Sequence, residues 1–388
     1  MDFEFTEEQE AIRDSIARLC SKYDDDYWLE RDRKGGFPDD FVADLAKDGW
    51  LGIAMPPEYG GAGLGVTEAA LMMQTIAQSG GAMAAASSVH INLFGPNPIV
   101  VHGTEEQRQR FLPPLIAGKD RTCFGVTEPN AGLDTSSIET KAEKTNSGWV
   151  VNGRKIWTST AQSANKILLL ARTTPREKAK KPTQGLSLFY TDFDRNHVEV
   201  QEIEKMGRKA VDSNAVFIDG LPVPDEDLIG EEGRGFEYLL HGLNPERIMI
   251  AAEAVGIGRL ALGRAVNYAK ERVVFGRPIG QNQSIAHPLA EAWAELEAAN
   301  LMTFKGAALY DGGKACGAEA NAAKYLAAEA CFHACERAVM THGGMGYAKE
   351  FHVERYLREG FLSRLAPVSR EMVLNYISER VLELPRSY

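Results

Sequence analysis

The length, charge and composition of the chain already exclude several classes of protein. Its 388 residues predict about two to three domains, at roughly 100–200 residues per domain. The excess of 54 acidic over 43 basic side chains, a net charge of -11, argues against a nucleic-acid-binding protein, because such proteins usually carry a basic surface. The sequence shows neither a membrane-spanning apolar stretch nor a signal peptide. Its five cysteines lack metal-binding spacing, so we expect a cytoplasmic protein without disulfides or a metal site.

The first part of the chain has helical patterns. Residues 6–9 and 104–107 both match the capping box, in which a threonine hydroxyl and a glutamine side chain satisfy the first backbone N–H groups of a helix. Apolar residues at 41–50 suggest another helix, and the helical period returns over 67–78. We therefore predict an N-terminal helical domain over residues 1–120.

The middle of the chain, residues 121–232, is rich in β-prone residues. Asn152-Gly153 stands between two β-prone runs, which is a strong sequence signal for a hairpin turn. Further strands are predicted at 167–171, 186–190, 198–203 and 215–218. This part of the chain is predicted to be a separate β domain.

The last part, residues 233–388, is again helical. Long amphipathic segments cover about 246–273, 284–311, 314–341 and 367–383. Pro245 is expected to open a new helical segment with Asn244 as its cap. Gly256 and Gly258 lie inside a helix, where we expect them to permit close helix packing rather than to bind a dinucleotide.

Four motifs resemble those of the acyl-CoA dehydrogenase family. The first runs from Phe124 to Asp134 and reads FGVTEPNAGLD. It is followed by Asn-Gly-x-Lys-x-Trp-x-Ser at 152–159, by Glu-Arg-x-x-Phe-Gly at 271–276 with Gln283 further on, and by Gly-Gly-Met-Gly-Tyr at 343–347. Their order and spacing follow the family over nearly the entire chain. The resemblance implies a mainly α fold with a central β domain: an N-terminal helical domain, a middle β-barrel domain and a C-terminal four-helix bundle.

The resemblance also implies FAD as a cofactor. The residues that match FAD-contacting positions are Phe124, Val126, Thr127, Leu133, Trp157, Thr158, Ser159, Arg272, Phe275, Gln283, Met340, Gly343, Gly344, Ser369 and Glu371. In the family, the position of Trp157 packs on the flavin ring, and that of Arg272 meets the pyrophosphate, for which a guanidinium offers planar paired donors. Met340, Gly343 and Gly344 match a segment that reaches the cofactor of a neighbouring subunit, so a homo-oligomer, dimer or tetramer, is implied.

The catalytic glutamate of most family members is absent here, since Pro367 occupies its position. Isovaleryl-CoA and long-chain acyl-CoA dehydrogenases instead place the base in a Gly-Leu-Asp-x-Glu-Arg type of segment, which residues 242–247 resemble. Glu246 is therefore the candidate base, and an apolar site would raise its pKa toward neutrality. The substrate-side positions are matched by Leu133, Asn244, Arg247, Val368 and His90. His90 matches a family position at the floor of the acyl pocket, and a purely structural role in the core stays open for it.

The resemblance implies α,β-oxidation of an acyl-CoA thioester to a trans-2-enoyl-CoA, with electrons passed to an electron-transferring flavoprotein. Two alternatives stay open. The missing C-terminal glutamate would suit a redox-neutral or oxygen-using flavin enzyme that acts on acyl-CoA. A non-catalytic acyl-CoA-binding relative is the other alternative, although most of the FAD-side positions are retained.

Overall fold

The computed structural model describes residues 3–386, and its N-terminal part is helical. The helices of this part are α1 (Glu7–Cys20), α2 (Asp25–Lys34), α3 (Asp39–Lys47), α4 (Val66–Gln78), α5 (Ala82–Phe94), α6 (Asn97–His102) and α7 (Glu105–Ile116). Both predicted capping boxes are confirmed. The hydroxyl groups of Thr6 and Thr104 accept hydrogen bonds from the backbone N–H of Gln9 and Gln107, and the two glutamine side chains accept in return.

The helix predicted at residues 41–50 is wrong in its bounds. Helix α3 ends at Lys47, and Trp50 begins a short 3-10 turn. Between them Gly49 has a φ of 82°, a left-handed conformation that ends helices and costs glycine little. The prediction also lacked α2, which is capped by the carboxylate of Asp24. Its sequence is mostly charged, so the apolar period that would have revealed it is weak.

The middle part is an eight-stranded sheet. Its strands are β1 (Thr122–Gly125), β2 (Lys141–Thr145), β3 (Gly148–Ser159), β4 (Lys166–Arg172), β5 (Leu186–Asp192), β6 (Val198–Glu202), β7 (Ser213–Val223) and β8 (Leu228–Ile229). The order is β6-β7-β3-β2-β4-β5-β8, and β1 pairs with β4 in parallel. The strands predicted at 167–171, 186–190, 198–203 and 215–218 are confirmed by β4 to β7.

The expected closure of this sheet into a barrel is wrong. Among the described strands, β6 pairs only with β7 and β8 only with β5, so the two ends of the sheet do not meet. The sheet instead buries each face separately. In β4, Leu168 and Leu170 belong to a core shared with Phe111 of α7, whereas Ile167 and Leu169 face a second core on the other side. Because both faces are covered, closure is not needed to bury the apolar residues.

The hairpin turn predicted at Asn152-Gly153 is wrong. Both residues lie inside β3, at a point where its pairing with β7 slips, and the β2–β3 turn lies at residues 146–147. Asn152 Oδ1 accepts a hydrogen bond from the N–H of Gly220 at 2.8 Å. A Cβ atom at position 153 would lie 2.3 Å from the hydroxyl oxygen of Thr140. The pair therefore serves a bulge and a close chain crossing rather than a turn.

The C-terminal part is a helical bundle. Helices α8 (Gly235–Glu271), α9 (Gln283–Asp311) and α10 (Gly317–His342) pack against one another, and shorter helices complete the bundle. These are α11 (Val353–Gly360), α12 (Leu362–Leu365) and α13 (Arg370–Tyr376), and a π-helical turn follows at Ile377–Val381. A small hairpin of β9 (Val273–Val274) and β10 (Arg277–Pro278) separates α8 from α9. Within residues 3–386, no helix has the length and apolar character needed to cross a bilayer.

Helix α8 does not begin at Pro245, as the sequence suggested, and Asn244 is not its cap. The helix is 37 residues long and runs through Pro245 without interruption. Pro245 and Glu246 are buried, as are Ile248 and Met249 in the next turn. Burial of this segment compensates for the backbone hydrogen bond that a proline removes.

The predicted role of Gly256 and Gly258 in helix packing is confirmed. A Cβ atom at position 256 would lie 2.4 Å from the carbonyl oxygen of Gln74 in α4, and one at position 258 would lie 2.5 Å from Leu296 in α9. These two glycines let α8 lie close to both helices. They therefore permit the close packing of the helix that carries Glu246.

Candidate active site

Glu246 lies in the first third of α8 and is almost completely buried, with a relative exposure of 6%. Within residues 3–386 its carboxylate makes no hydrogen bond to another group. Burial raises the pKa of Glu246 to about 7, although the positive charges of His90 and Arg247 act in the opposite direction. A carboxyl group with this pKa exchanges a proton readily near neutral pH, as a general base must.

His90 projects from α5 toward the same face of α8. Its Nδ1 lies 2.5 Å from Oε1 of Glu253, which is fully buried and follows Glu246 by seven residues, or two helical turns. The other carboxylate oxygen of Glu253 has no hydrogen-bond partner among the described residues. Burial alone would lower the pKa of His90, but the carboxylates of Glu253 and Glu246 outweigh it and raise that pKa above its ordinary value.

Asn244 and Arg247, two of the other predicted substrate-side residues, lie beside Glu246 on α8. Arg247 donates a hydrogen bond to Asn244 Oδ1 at 3.2 Å, one turn earlier. Val368 lies in the loop between α12 and α13, where its carbonyl oxygen accepts a hydrogen bond from the buried amine of Lys324 at 2.6 Å. Because Lys324 belongs to α10, it fixes this loop to the bundle.

One group of the predicted flavin-side residues lies in β1, in the loop that follows it and in β3. Phe124 is in β1, and the chain continues through Val126 to Thr127, whose carbonyl oxygen accepts a hydrogen bond from Ile156 N–H of β3 at 2.9 Å. Leu133 lies in the following loop, exposed and with a φ of 64°. The signature segment is thereby held beside β3.

Trp157 is the most exposed of the residues predicted to contact the flavin from β3. It lies at a register shift between Lys155 and Thr158, has a φ of 59°, and its side chain is 57% exposed. A left-handed conformation costs a bulky residue about 1–3 kcal/mol and is common at functional sites. The bulge therefore presents a flat aromatic surface outside the sheet.

Thr158 and Ser159, the next two predicted flavin contacts, differ in how their hydroxyl groups are bonded. Thr158 Oγ1 is buried and has no hydrogen-bond partner among the described residues. Ser159 Oγ accepts a hydrogen bond from Arg208 at 3.1 Å, and the same guanidinium donates to Ser213 at 2.8 Å. Arg208 comes from the loop between β6 and β7.

Aromatic rings connect the two groups of residues. The ring of His90 lies 4.9 Å from that of Phe94, one turn further along α5, and Phe94 lies 5.7 Å from Phe124 in β1. A cavity of about 220 Å³ borders Phe94 and Met249 but does not include Glu246 in its wall. Two successive ring contacts thus connect His90 on α5 with Phe124 on β1.

Other predicted cofactor residues lie elsewhere. Arg272 follows the last residue of α8, Phe275 is fully exposed at the tip of the β9–β10 hairpin, and Gln283 begins α9. Met340 lies at the end of α10, and Gly343 and Gly344 follow it with open space where a Cβ would be. Glu371 is exposed in the first turn of α13, and Ser369 caps that helix by accepting from the N–H of Met372. Within one chain Arg272, at the C-terminal end of α8, therefore lies far along the helix from Glu246.

Three charged residues of this region were missed in the sequence: the buried Glu253 and Lys324, and the partly buried Arg208. Glu253 could have been found, because it is the one charged residue in the apolar run 248–258, where an unpaired charge is costly. Lys324 stands in a similar alanine-rich run of α10. Arg208 lies in a polar loop, and its sequence gives no comparable signal.

Comparison with known families matches nearly the whole chain. The model of the acyl-CoA dehydrogenase N-terminal domain matches residues 6–119, that of the middle domain residues 123–221, and that of the C-terminal domain residues 233–382. Together these models cover all three parts of the chain in the family's order.

Individual proteins give the same result. The acyl-CoA dehydrogenase FadE12 of Mycobacterium tuberculosis is 40% identical over 385 residues, which cover 99% of this chain and 98% of the relative. Butyryl-CoA dehydrogenase from Megasphaera elsdenii has a similar structure, with a TM-score of 0.93, 30% identity and coverage of 98% and 100%. A chain from a structural study of the electron transferring flavoprotein of Acidaminococcus fermentans has a TM-score of 0.94 at 30% identity and covers 99% and 100%.

Proposed function

The chain belongs to the acyl-CoA dehydrogenase family, FAD-dependent oxidoreductases that act on CH–CH bonds, and we propose that it converts an acyl-CoA thioester to a trans-2-enoyl-CoA with Glu246 as the base. The observation that carries this proposal is the state of the Glu246 carboxyl group. It is buried, free of hydrogen bonds to the described residues, and has a pKa of about 7. These are the properties of a proton acceptor rather than of a structural ion pair.

The residues on β1 and β3 fit FAD. The buried hydroxyl of Thr158 lacks a partner, and a hydroxyl donor of this kind suits the polar edge of a flavin ring. Trp157 offers a flat apolar surface beside it, and Arg208 orients the hydroxyl of Ser159. When bound, FAD supplies the acceptor for the hydride that leaves the β-carbon of the substrate.

Glu246 has the proton-transfer role. Its carboxylate takes the proton from the α-carbon, and the electron pair of that C–H bond becomes the new double bond as the β-hydrogen leaves with its own pair. Burial favours the neutral carboxylic acid that results. Arg247 and Asn244 lie within one turn of the base, where we assign them to the substrate's pantetheine side.

The thioester carbonyl needs a donor that Pro367 does not have, since proline lacks a backbone N–H. We assign this role to the N–H of Val368. The hydrogen bond from Lys324 to the Val368 carbonyl oxygen holds the loop in one conformation. A donor fixed in advance stabilises the charge that develops on the thioester oxygen.

We also propose an electron-transferring flavoprotein as the electron acceptor and a homo-oligomer as the assembly. The likeness to a chain studied with such a flavoprotein supports the first. The second is supported by large apolar side chains that a single chain leaves exposed near its predicted cofactor residues, among them Phe275, Met340 and Tyr347. Exposed apolar patches of this kind commonly mark interfaces.

The test is anaerobic bleaching of the bound flavin by straight-chain, branched and aromatic acyl-CoAs. We expect at least one acyl-CoA to bleach the wild-type protein. With Glu246→Gln we expect retained FAD but bleaching at least ~10²-fold slower, the scale of a lost general base. Glu237→Gln, an exposed glutamate on the same helix, should bleach at the wild-type rate.

Bleaching of the Glu246→Gln variant at the wild-type rate would remove Glu246 as the base. If no acyl-CoA bleaches the wild-type flavin, a redox-neutral enzyme or a non-catalytic acyl-CoA-binding protein becomes the better description. Rapid reoxidation of the bleached protein by oxygen, with none by an electron-transferring flavoprotein, would favour an oxygen-using enzyme.

A further inference from the structure

Two buried carboxylates on one face of α8 and a partly buried histidine of α5 form a group of titratable side chains. Glu246 and Glu253 are seven residues apart on one face of the helix, and His90 of α5 bonds Glu253 through Nδ1 at 2.5 Å. The carboxylate of Glu253 disfavours the ionised form of Glu246. A cation beside them relieves this penalty, and the imidazolium of His90 is in position to provide it.

We propose that His90, held in place by Glu253, is a positioning residue that keeps Glu246 ionised and ready to accept a proton. This role goes beyond a place in the wall of the acyl pocket, and it rests on the proposed function of Glu246 as the base. Glu253 would orient the imidazole, as carboxylates commonly orient a histidine ring. His90 itself would not touch the α-hydrogen of the substrate.

The other cations near Glu246 are committed to different partners. Arg247 of α8 donates to Asn244, and Lys324 of α10 donates to the Val368 carbonyl. Both positive charges lower the pKa of Glu246 against the effect of burial. Arg247 lowers it less than His90 does, and Lys324 lowers it least.

Charged groups also face His90 itself. The carboxylates of Glu253 and Glu246 favour its charged form, and Arg208 from the β6–β7 loop opposes it. Arg208 is in turn bonded to Ser159 and Ser213. His90 is thus the cation of this group whose charge depends directly on the two carboxylates.

The sign of the effect follows from these charges. With the imidazolium present, the ionised form of Glu246 is favoured and its pKa is held down. With His90→Gln the cation is lost while Glu253 remains, so the pKa of Glu246 rises. The base is then protonated in a larger fraction of molecules at neutral pH, and proton abstraction requires a higher pH.

The experiment is the pH profile of flavin bleaching under anaerobic conditions, at saturating concentration of an acyl-CoA that bleaches the wild-type protein. We expect the apparent pKa of the ascending limb to rise by about one unit in His90→Gln, within the range that a neighbouring charge causes. The double variant His90→Gln/Glu253→Gln should shift less, because the opposing carboxylate is also gone. A packing defect predicts the opposite order, with the double variant at least as impaired as the single one.

The matched control is His333→Gln. His333 also bonds a glutamate, Glu295, through Nδ1 at 2.6 Å, but on the surface between α10 and α9. Its removal should leave the pH profile unchanged. A second readout needs no turnover. It is the difference in denaturant midpoint between the Glu246→Gln variant and the protein that retains Glu246, measured as a function of pH. When both proteins also carry His90→Gln, we expect this difference to reach its full value about one pH unit higher.

An unchanged profile in His90→Gln would overturn the proposal, as would a double variant shifted by as much as the single one. If His90→Gln does not fold, the double variant decides the matter: an upward shift supports the proposal and no shift overturns it. The proposed function fails separately, through an unbleached wild-type flavin or an unimpaired Glu246→Gln. An unshifted His90→Gln beside a slow Glu246→Gln removes only the role of His90.

Discussion

The middle sheet and the C-terminal bundle each bury a glutamate, and the two are bonded very differently. Glu128 follows β1 and accepts hydrogen bonds on both carboxylate oxygens, from the backbone N–H groups of Glu139 and Thr140 and from the amine of Lys155 at 2.8 Å. Glu246 in α8 is equally buried but accepts none from the described residues.

The pKa values of these two carboxyl groups therefore move in opposite directions. Burial would raise the pKa of Glu128, but Lys155 and the hydrogen bonds outweigh it and hold that pKa below its ordinary value. For Glu246 burial dominates, and the pKa rises to about 7. Burial alone does not make a carboxyl group reactive; the absence of donors does. The comparison separates a structural acid from a candidate base.

The largest effect is expected from breaking the structural pair. Glu128→Ala leaves the amine of Lys155 buried without a counter-charge and should reduce the free energy of unfolding by about 3–5 kcal/mol at pH 7. Urea unfolding measures this. Glu143→Ala, an exposed glutamate on β2 of the same sheet, is the control and should change stability by under about 0.5 kcal/mol. A loss below about 1 kcal/mol in Glu128→Ala would contradict the assigned role.

The second effect is a dependence of stability on pH. Since the pKa of Glu246 is raised from 4.5 to about 7 in the folded protein, the folded state binds the proton more tightly than the unfolded chain. The wild-type protein therefore loses stability as pH rises through this window, by up to about 3 kcal/mol. Glu246→Gln should gain that amount relative to wild type between about pH 4.5 and 8. A difference in unfolding free energy that does not vary with pH would show that Glu246 is not perturbed.

The smallest effect sharpens the description of the structural pair. Replacing both charges, with Glu128→Gln and Lys155→Met, leaves no buried ion. We expect a loss of only about 1–2 kcal/mol in urea unfolding, because the glutamine side chain has one oxygen for the two backbone N–H groups that Glu128 satisfies. A loss as large as that of Glu128→Ala would mean that the hydrogen bonds, and not the charge pair, dominate.

Local chemistry was readable from the sequence wherever neighbours along the chain decide the structure. The capping boxes at Thr6 and Thr104 are complete within four residues, and both were predicted correctly. Asn152-Gly153 has the local chemistry of a turn, yet its contacts with Gly220 and Thr140 place it inside a strand. Distant contacts of this kind are not encoded in a short segment.

In the candidate site, too, local features were predictable from the sequence and long-range contacts were not. Glu246 was proposed by resemblance of its local segment, and the long-range environment that gives it a raised pKa became visible only in the fold. His90 was expected in the acyl pocket, but its partner Glu253 lies 163 positions away in sequence. Arg208 reaches Ser159 from a separate loop. The three-domain boundaries at 120 and 232 remain a prediction.

The unbroken course of α8 has a consequence for stoichiometry. Glu246 and Arg272 are 26 residues apart along one rigid rod, a separation of about 39 Å at ~1.5 Å per residue, which exceeds the span of one dinucleotide. Under the proposed assignments, Glu246 in the first third of the helix and Arg272 at its C-terminal end serve two different flavins. Each polypeptide then contributes its proton acceptor to one catalytic centre and its phosphate-binding arginine to another, so the minimal catalytic unit is a pair of chains.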